Sequence, residues 1–206
     1  MADVTLHGVS PSAYVRTCRL ALEEKGVPYK HTETMPQTPE QLALHPFGKI
    51  PALTHGDITI FESPAICGYV DDTFDGPALQ PADAVGRARC LQWISAFADN
   101  IYRPMITDIV IQRVLVPMRG GETDEEKVAA AAETLDGHLA IVDRALGAAP
   151  YFAGDAYSLA DMFFLPAIAT FSKLPEASLL DSRTNIKRWY DDAAARDASV
   201  KIGIAE

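Results

Sequence analysis

The chain has 206 residues, 48% hydrophobic and 22% charged, a globular balance with room for one large domain or two small ones. Its formal net charge of −10, without a basic cluster, argues against nucleic acid or an anionic membrane surface as a partner. No run reaches the roughly 18 apolar residues of a membrane span, and Met1-Ala2-Asp3-Val4 lacks the regions of a signal peptide, so a cytoplasmic protein is expected. Cys18, Cys67 and Cys90 include no close pair, which fits a reducing compartment. No His or Cys pair has zinc-ligand spacing, so no metal is expected.

Val4-Thr5-Leu6-His7 reads as a short strand ended by Gly8, and residues 12–25 follow as a helix with apolar side chains at 14, 15, 18, 21 and 22. Lys25-Gly26 is a helix stop. Residues 27–32 read as an edge strand, since Pro28 cannot donate to a ladder. Residues 51–54 and 58–61 flank His55-Gly56-Asp57 as a hairpin. Ser63-Pro64 opens a helix, with Ser63 suited to the N-cap and Ile66, Tyr69, Val70 and Phe74 on its buried face. The predicted order is β-α-β-α-β-β-α.

Residues 1–76 thus form one expected domain, 77–85 a Pro-rich linker, and 86–206 an all-helical domain. Within the helical part, a long stretch over 83–117 is expected to kink near Pro104. A second helix spans 123–146 with Thr123 as its cap, Ser158 to Asp161 opens a third, and 184–196 form a fourth. Trp93, Phe97 and Tyr102 on the long helix read either as lining for a second, apolar binding pocket or as core, and Cys18 as core. Arg16 reads either as a brace for the first helix against the second domain or as a solvated charge.

Three segments of the first domain carry chemistry. Ser10-Pro11-Ser12 precedes the first helix, whose start offers unpaired N–H groups and a partial positive charge. A serine there can stabilise a bound thiolate or can merely cap the helix. Lowering a thiol pKa of about 8.5 by two units takes roughly 2.7 kcal/mol. One charge-assisted hydrogen bond of about 1.5–3 kcal/mol and a helix terminus together supply this. In Gly48-Lys49-Ile50-Pro51-Ala52, a cis bond before Pro51 would turn the Ile50 backbone outward toward an extended peptide; a trans proline at a strand entrance is the commoner case. Glu62-Ser63 sets a carboxylate beside a helix start, a match for an amino-acid head group or a cap alone.

Together these residues resemble the cytosolic glutathione transferase superfamily, in segments 12–22, 45–53, 61–66 and 157–162, and most closely its serine-type, phi-like bacterial members. The resemblance implies an α/β thioredoxin-like N-terminal domain followed by an all-α helical C-terminal domain carrying the electrophile site. It implies reduced glutathione as cosubstrate, a small hydrophobic electrophile, detoxification chemistry and a homodimer. It puts the catalytic serine on Ser12, with Ser10 as the fallback. It pairs Ile50, before a cis-Pro51, with the cysteinyl backbone of glutathione, and gives the γ-glutamyl end to Glu62 and Ser63. Lys49 stands near the glycine carboxylate, where phi members often have glutamine. The chain departs from the pattern at His45, which replaces an asparagine, and at Pro36 and Gln37, near the places of a basic pair. Rival readings are a thiol–disulfide oxidoreductase, which lacks a cysteine at the helix start, and a non-catalytic glutathione or ligand carrier. Glutathione-dependent isomerase or peroxidase chemistry would use the same thiolate.

Overall fold

Val4 and Leu6 are buried while Thr5 and His7, which alternate with them, are not, the period-two signature of strand β1 (Val4–His7). In this computed structural model, which describes residues 3–205, the chain divides into two compact units: residues up to Gln80 with those from Arg196 onward, and Pro81–Ala195. The first unit continues with α1 (Ala13–Glu24), β2 (Lys30–Thr32), α2 (Pro39–Leu44), β3 (Ala52–His55), β4 (Ile58–Phe61) and α3 (Ser63–Thr73), in the expected order. β2 lies at the sheet edge and is shorter than residues 27–32, because pairing begins only beyond Pro28.

The sheet order is β2-β1-β3-β4, with β1 parallel to β2 and antiparallel to β3. His7 faces Ala52, which in turn faces Phe61 across the antiparallel β3–β4 ladder. One end of the sheet therefore gathers the exit of β1 at Gly8, the entry to β3 at Pro51 and the exit of β4 at Glu62. Gly8 has φ +145, and a Cβ there would lie 2.6 Å from Val15 Cγ2 and 3.2 Å from Ile50 Cβ. Only glycine lets α1 and the β3 entrance close in this way.

The α1 core face holds Ala13, Val15, Thr17, Cys18, Leu20, Ala21 and Leu22, with Cys18 Sγ 3.9 Å from Cys67 Sγ. Arg16 is not a solvated charge: it braces α1 by donating to the carbonyls of Gly203 (2.8 Å) and Ile204 (3.2 Å), in a C-terminal segment that packs with the first unit. Arg196 forks onto Glu24 at 2.7 and 2.8 Å, which ties α9 (Asp197–Lys201) to α1 within the first unit. Ser63 is the first residue of α3 and not its cap. Glu62, with φ 68, takes the cap position, and its carbonyl accepts from the Ile66 N–H.

Lys25 is buried, and its ammonium meets Asp71 Oδ1 and the Pro77 carbonyl, both at 3.2 Å. Asp71 also accepts from the Leu79 N–H (2.9 Å) and Gln80 Nε2 (3.2 Å), so the ends of α1 and α3 hold residues 77–80. Asp71→Ala leaves a buried ammonium without its counter-charge. It should cost about 3–5 kcal/mol in urea denaturation, whereas Lys25→Met with Asp71→Leu should recover most of that loss. Equal losses in the single and double variants would contradict this.

The second unit is helical. α4 (Ala84–Ala96) runs into two wide-wound π-helical segments, Phe97–Ile101 and Arg103–Leu115, and then α5 (Val116–Met118). Pro104, which lacks an N–H, stands at the start of the second of these segments. α6 (Glu125–Ala148) is capped by Asp124, which accepts from the Lys127 N–H at 3.0 Å; Thr123, the expected cap, donates to the Gln112 carbonyl instead. α7 (Leu159–Phe171) opens with the expected box at Ser158 and Asp161, and α8 (Thr184–Ala194) follows a 3₁₀ turn at Pro175–Leu180. Phe97 packs against Phe163 and Phe164, and Trp93 against Phe152 and Phe164, in an aromatic core.

Candidate active site

Ser12 caps α1 with extended backbone (φ −65, ψ 128), and its Oγ accepts from the Val15 N–H at 3.5 Å. That bond uses an oxygen lone pair, so the hydroxyl proton remains free to donate. Ser10 is arranged differently. Its N–H lies 3.2 and 3.1 Å from the two Glu33 carboxylate oxygens, and its hydroxyl donates to Glu33 Oε1. That hydroxyl holds the Glu33 carboxyl below the usual carboxylate range. Of the two candidate serines, then, Ser10 has its proton committed and Ser12 does not. Glu33 gives no sequence signal, because it lies 23 residues beyond Ser10.

The Ile50–Pro51 bond is cis. Lys49 extends an exposed side chain, while its carbonyl accepts from Gln41 Nε2 at 2.7 Å. At the end of β4, the Glu62 side chain is 53% exposed and Ser63 is buried at the start of α3. A left-handed φ in a non-glycine residue is uncommon and points to a constrained, functional position. His45 is buried beside it, with Nε2 3.8 Å from Glu62 Oε1 and the Phe61 ring 4.8 Å away. The Phe47 N–H reaches His45 Nδ1 at 3.3 Å, which puts the proton of the neutral ring on Nε2. Burial pushes the His45 pKa down, against the pull of Glu62.

The sheet register thus brings Ser12, Ile50-Pro51 and Glu62-Ser63 to one end of the first unit, with His45 against Glu62 and Lys49 in the loop before Ile50. His7 pairs with Thr54 Oγ1 at 3.1 Å and, lowered by burial, shows no arrangement of a base. The three cysteines are buried and in no disulfide, and none stands at the start of α1. Among the described residues, no cluster of three or more His, Cys, Asp or Glu side chains could hold a metal ion. No helix among them is long and apolar enough to cross a membrane.

Two family sequence profiles match the chain: "Glutathione S-transferase, N-terminal domain" over residues 6–78 and "Glutathione S-transferase, C-terminal domain" over residues 103–197. The chain belongs to the glutathione S-transferase family. It is 33% identical over 208 residues to the "probable glutathione S-transferase GSTF2" of Oryza sativa subsp. japonica, covering 98% of this chain and 96% of that one. Glutathione transferase F7 from Populus trichocarpa matches with a TM-score of 0.90 and 31% identity, over 98% and 99% of the two chains. Glutathione S-transferase I from maize, solved in complex with an atrazine glutathione conjugate, matches with a TM-score of 0.89 and 30% identity over 99% and 98%. The fold of these transferases is the one found here, a small mixed-sheet domain before a helical one. These three relatives are plant proteins, so the bacterial placement rests on the resemblance alone.

Proposed function

We propose that the protein is a serine-type, phi-like glutathione transferase that conjugates reduced glutathione to small hydrophobic electrophiles, with Ser12 donating its hydroxyl proton to the thiolate. The observation that carries this is the free proton of Ser12 at the start of α1, beside a Ser10 whose proton belongs to Glu33. The helix terminus adds a partial positive charge to the same place. Around the thiolate, the Ile50 backbone before cis-Pro51 takes the cysteinyl peptide. Glu62 and Ser63 take the γ-glutamyl head group, and Lys49 the glycine carboxylate.

Rate comes from a raised thiolate fraction and from holding the sulfur against the electrophile, with no covalent enzyme intermediate and no metal. Residues 1–76 serve glutathione, 77–85 link, and the helices of 86–195 supply the electrophile site, while residues from Arg196 onward pack with the first unit. The electrophile bound as a conjugate by the maize relative supports the substrate class. The test is conjugation of glutathione to an activated aryl halide. Turnover above the uncatalysed rate is expected, and glutathione binding without turnover would leave a carrier.

The working form in this reading is a cytoplasmic homodimer in which the first unit of one protomer meets the second unit of its partner. Exposed Met35, Leu42 and Phe47 on the first unit support it. Phe47→Ser should shift the protein to monomers at micromolar concentration in analytical ultracentrifugation. A wild type that is already monomeric there would contradict the dimer.

A further inference from the structure

Helix α2 is six residues long, and the side chains buried most deeply on it and its C-cap are both polar. Gln41 is 0% exposed and His45 is 1% exposed, while Leu42 faces water. Spaced by four residues, the two share one face. Apolar burial ordinarily docks so short a helix, and a buried polar group costs stability unless it is hydrogen-bonded. Gln41 Oε1 is buried with no hydrogen-bond partner, so this face is not arranged for stability alone.

What the two side chains do hold is specific. Gln41 Nε2 donates to the Lys49 carbonyl at 2.7 Å, one peptide before Ile50. His45 fixes the Phe47 N–H through Nδ1 and directs Nε2 at Glu62. Each partner adjoins a segment that meets glutathione in the reading above, on which this inference rests. We propose that Gln41 and His45 are positioning residues for glutathione, Gln41 acting through the Lys49–Ile50 backbone on the cysteinyl peptide and His45 acting through Glu62 on the γ-glutamyl ammonium.

A neutral imidazole suits the second role. It orients a carboxylate by N–H donation without cancelling the charge that must meet the ammonium, as a lysine or arginine would. The half-exposed Glu62 side chain lies 3.8 Å from Nε2, a gap that rotation about its own bonds would close.

The test measures KM and kcat for glutathione and for its analogue lacking the γ-glutamyl amino group. In the wild type, the analogue's KM should be about tenfold higher. His45→Ala should reduce that preference to about twofold with kcat within about threefold, and His45→Asn, whose amide has an acceptor and a donor, should restore it. Gln41→Met should raise KM for both thiols about tenfold and leave the preference as it is. His45→Leu fills the buried space without a donor and serves where His45→Ala does not fold. A wild-type preference that survives loss of the His45 donor overturns the proposal alone, as does a wild-type KM in Gln41→Met. Equal KM values for the two thiols in the wild type would sink the Glu62 reading itself, and this proposal with it.

Discussion

Asp161→Ala should lose about 3–5 kcal/mol of stability in urea denaturation at pH 7, a large part of what holds a domain of this size. Asp161 is fully buried on α7. Its Oδ2 accepts from the Ser158 N–H (2.9 Å) and Oγ (3.0 Å). Its Oδ1 accepts from Trp189 Nε1 (2.8 Å) and the Phe152 N–H (3.2 Å). Alanine leaves four donors buried and unpaired, in the aromatic core and at the start of a helix that is almost wholly buried. Ser158→Ala removes one donor and should cost about 1 kcal/mol. A wild-type midpoint in Asp161→Ala would contradict this account.

Burial pushes the Asp161 carboxyl up to about 6, against the pull of those four donors. A folded-state value above the ordinary carboxylate value means that the folded chain binds this proton more tightly than the unfolded chain. The added stability is present in full below about pH 4 and is lost as the pH rises to about 6. The stability of the wild type relative to Asp161→Asn should therefore fall across that window. A rise would mean that the donors outweigh burial.

Ser12→Ala should lower kcat/KM for conjugation about 10²-fold while KM for glutathione stays within about threefold. The lost interaction is a charge-assisted hydrogen bond to sulfur, worth about 1.5–3 kcal/mol, and it acts on the thiolate more than on binding. Ser10→Ala should change kcat/KM less than about threefold, because the Ser10 hydroxyl is committed to Glu33. If the two variants exchanged these effects, the catalytic role would belong to Ser10.

Much of the first unit was legible because its signals are local. Alternation marked β1, a 3.6-residue stripe marked α1, and Gly56 with the flanking β-branched residues marked the hairpin. The cis bond at Pro51 was foreseeable as an alternative because X–Pro bonds lose most of the trans preference. What escaped was decided by contacts distant in sequence or by neighbours of equal propensity. Thr123 and Asp124 are both good caps, and the Gln112 carbonyl engages the first and leaves the second to cap α6. Glu62 takes a left-handed φ that residue type does not announce, which moves the start of α3 onto Ser63. Arg16 finds its acceptors 187 and 188 residues away.

The site divides along the same line. Ser12, Ile50, Pro51, Glu62 and Ser63 sit at the ends of elements, where residue type and position coincide. Glu33, Gln41 and the neighbours of His45 are set by folding of the 33–49 segment against the sheet. Only the spacing of four between Gln41 and His45 hinted that they share a face.

The central claim is thiolate stabilisation by Ser12, and an ultraviolet titration of the glutathione thiolate bound to the wild type and to Ser12→Ala tests it most directly. The account predicts a bound thiol pKa about two units below that of the free thiol in the wild type, returning toward the free value in Ser12→Ala. Glutathione bound normally with an unshifted pKa in both proteins would contradict it and leave a glutathione carrier.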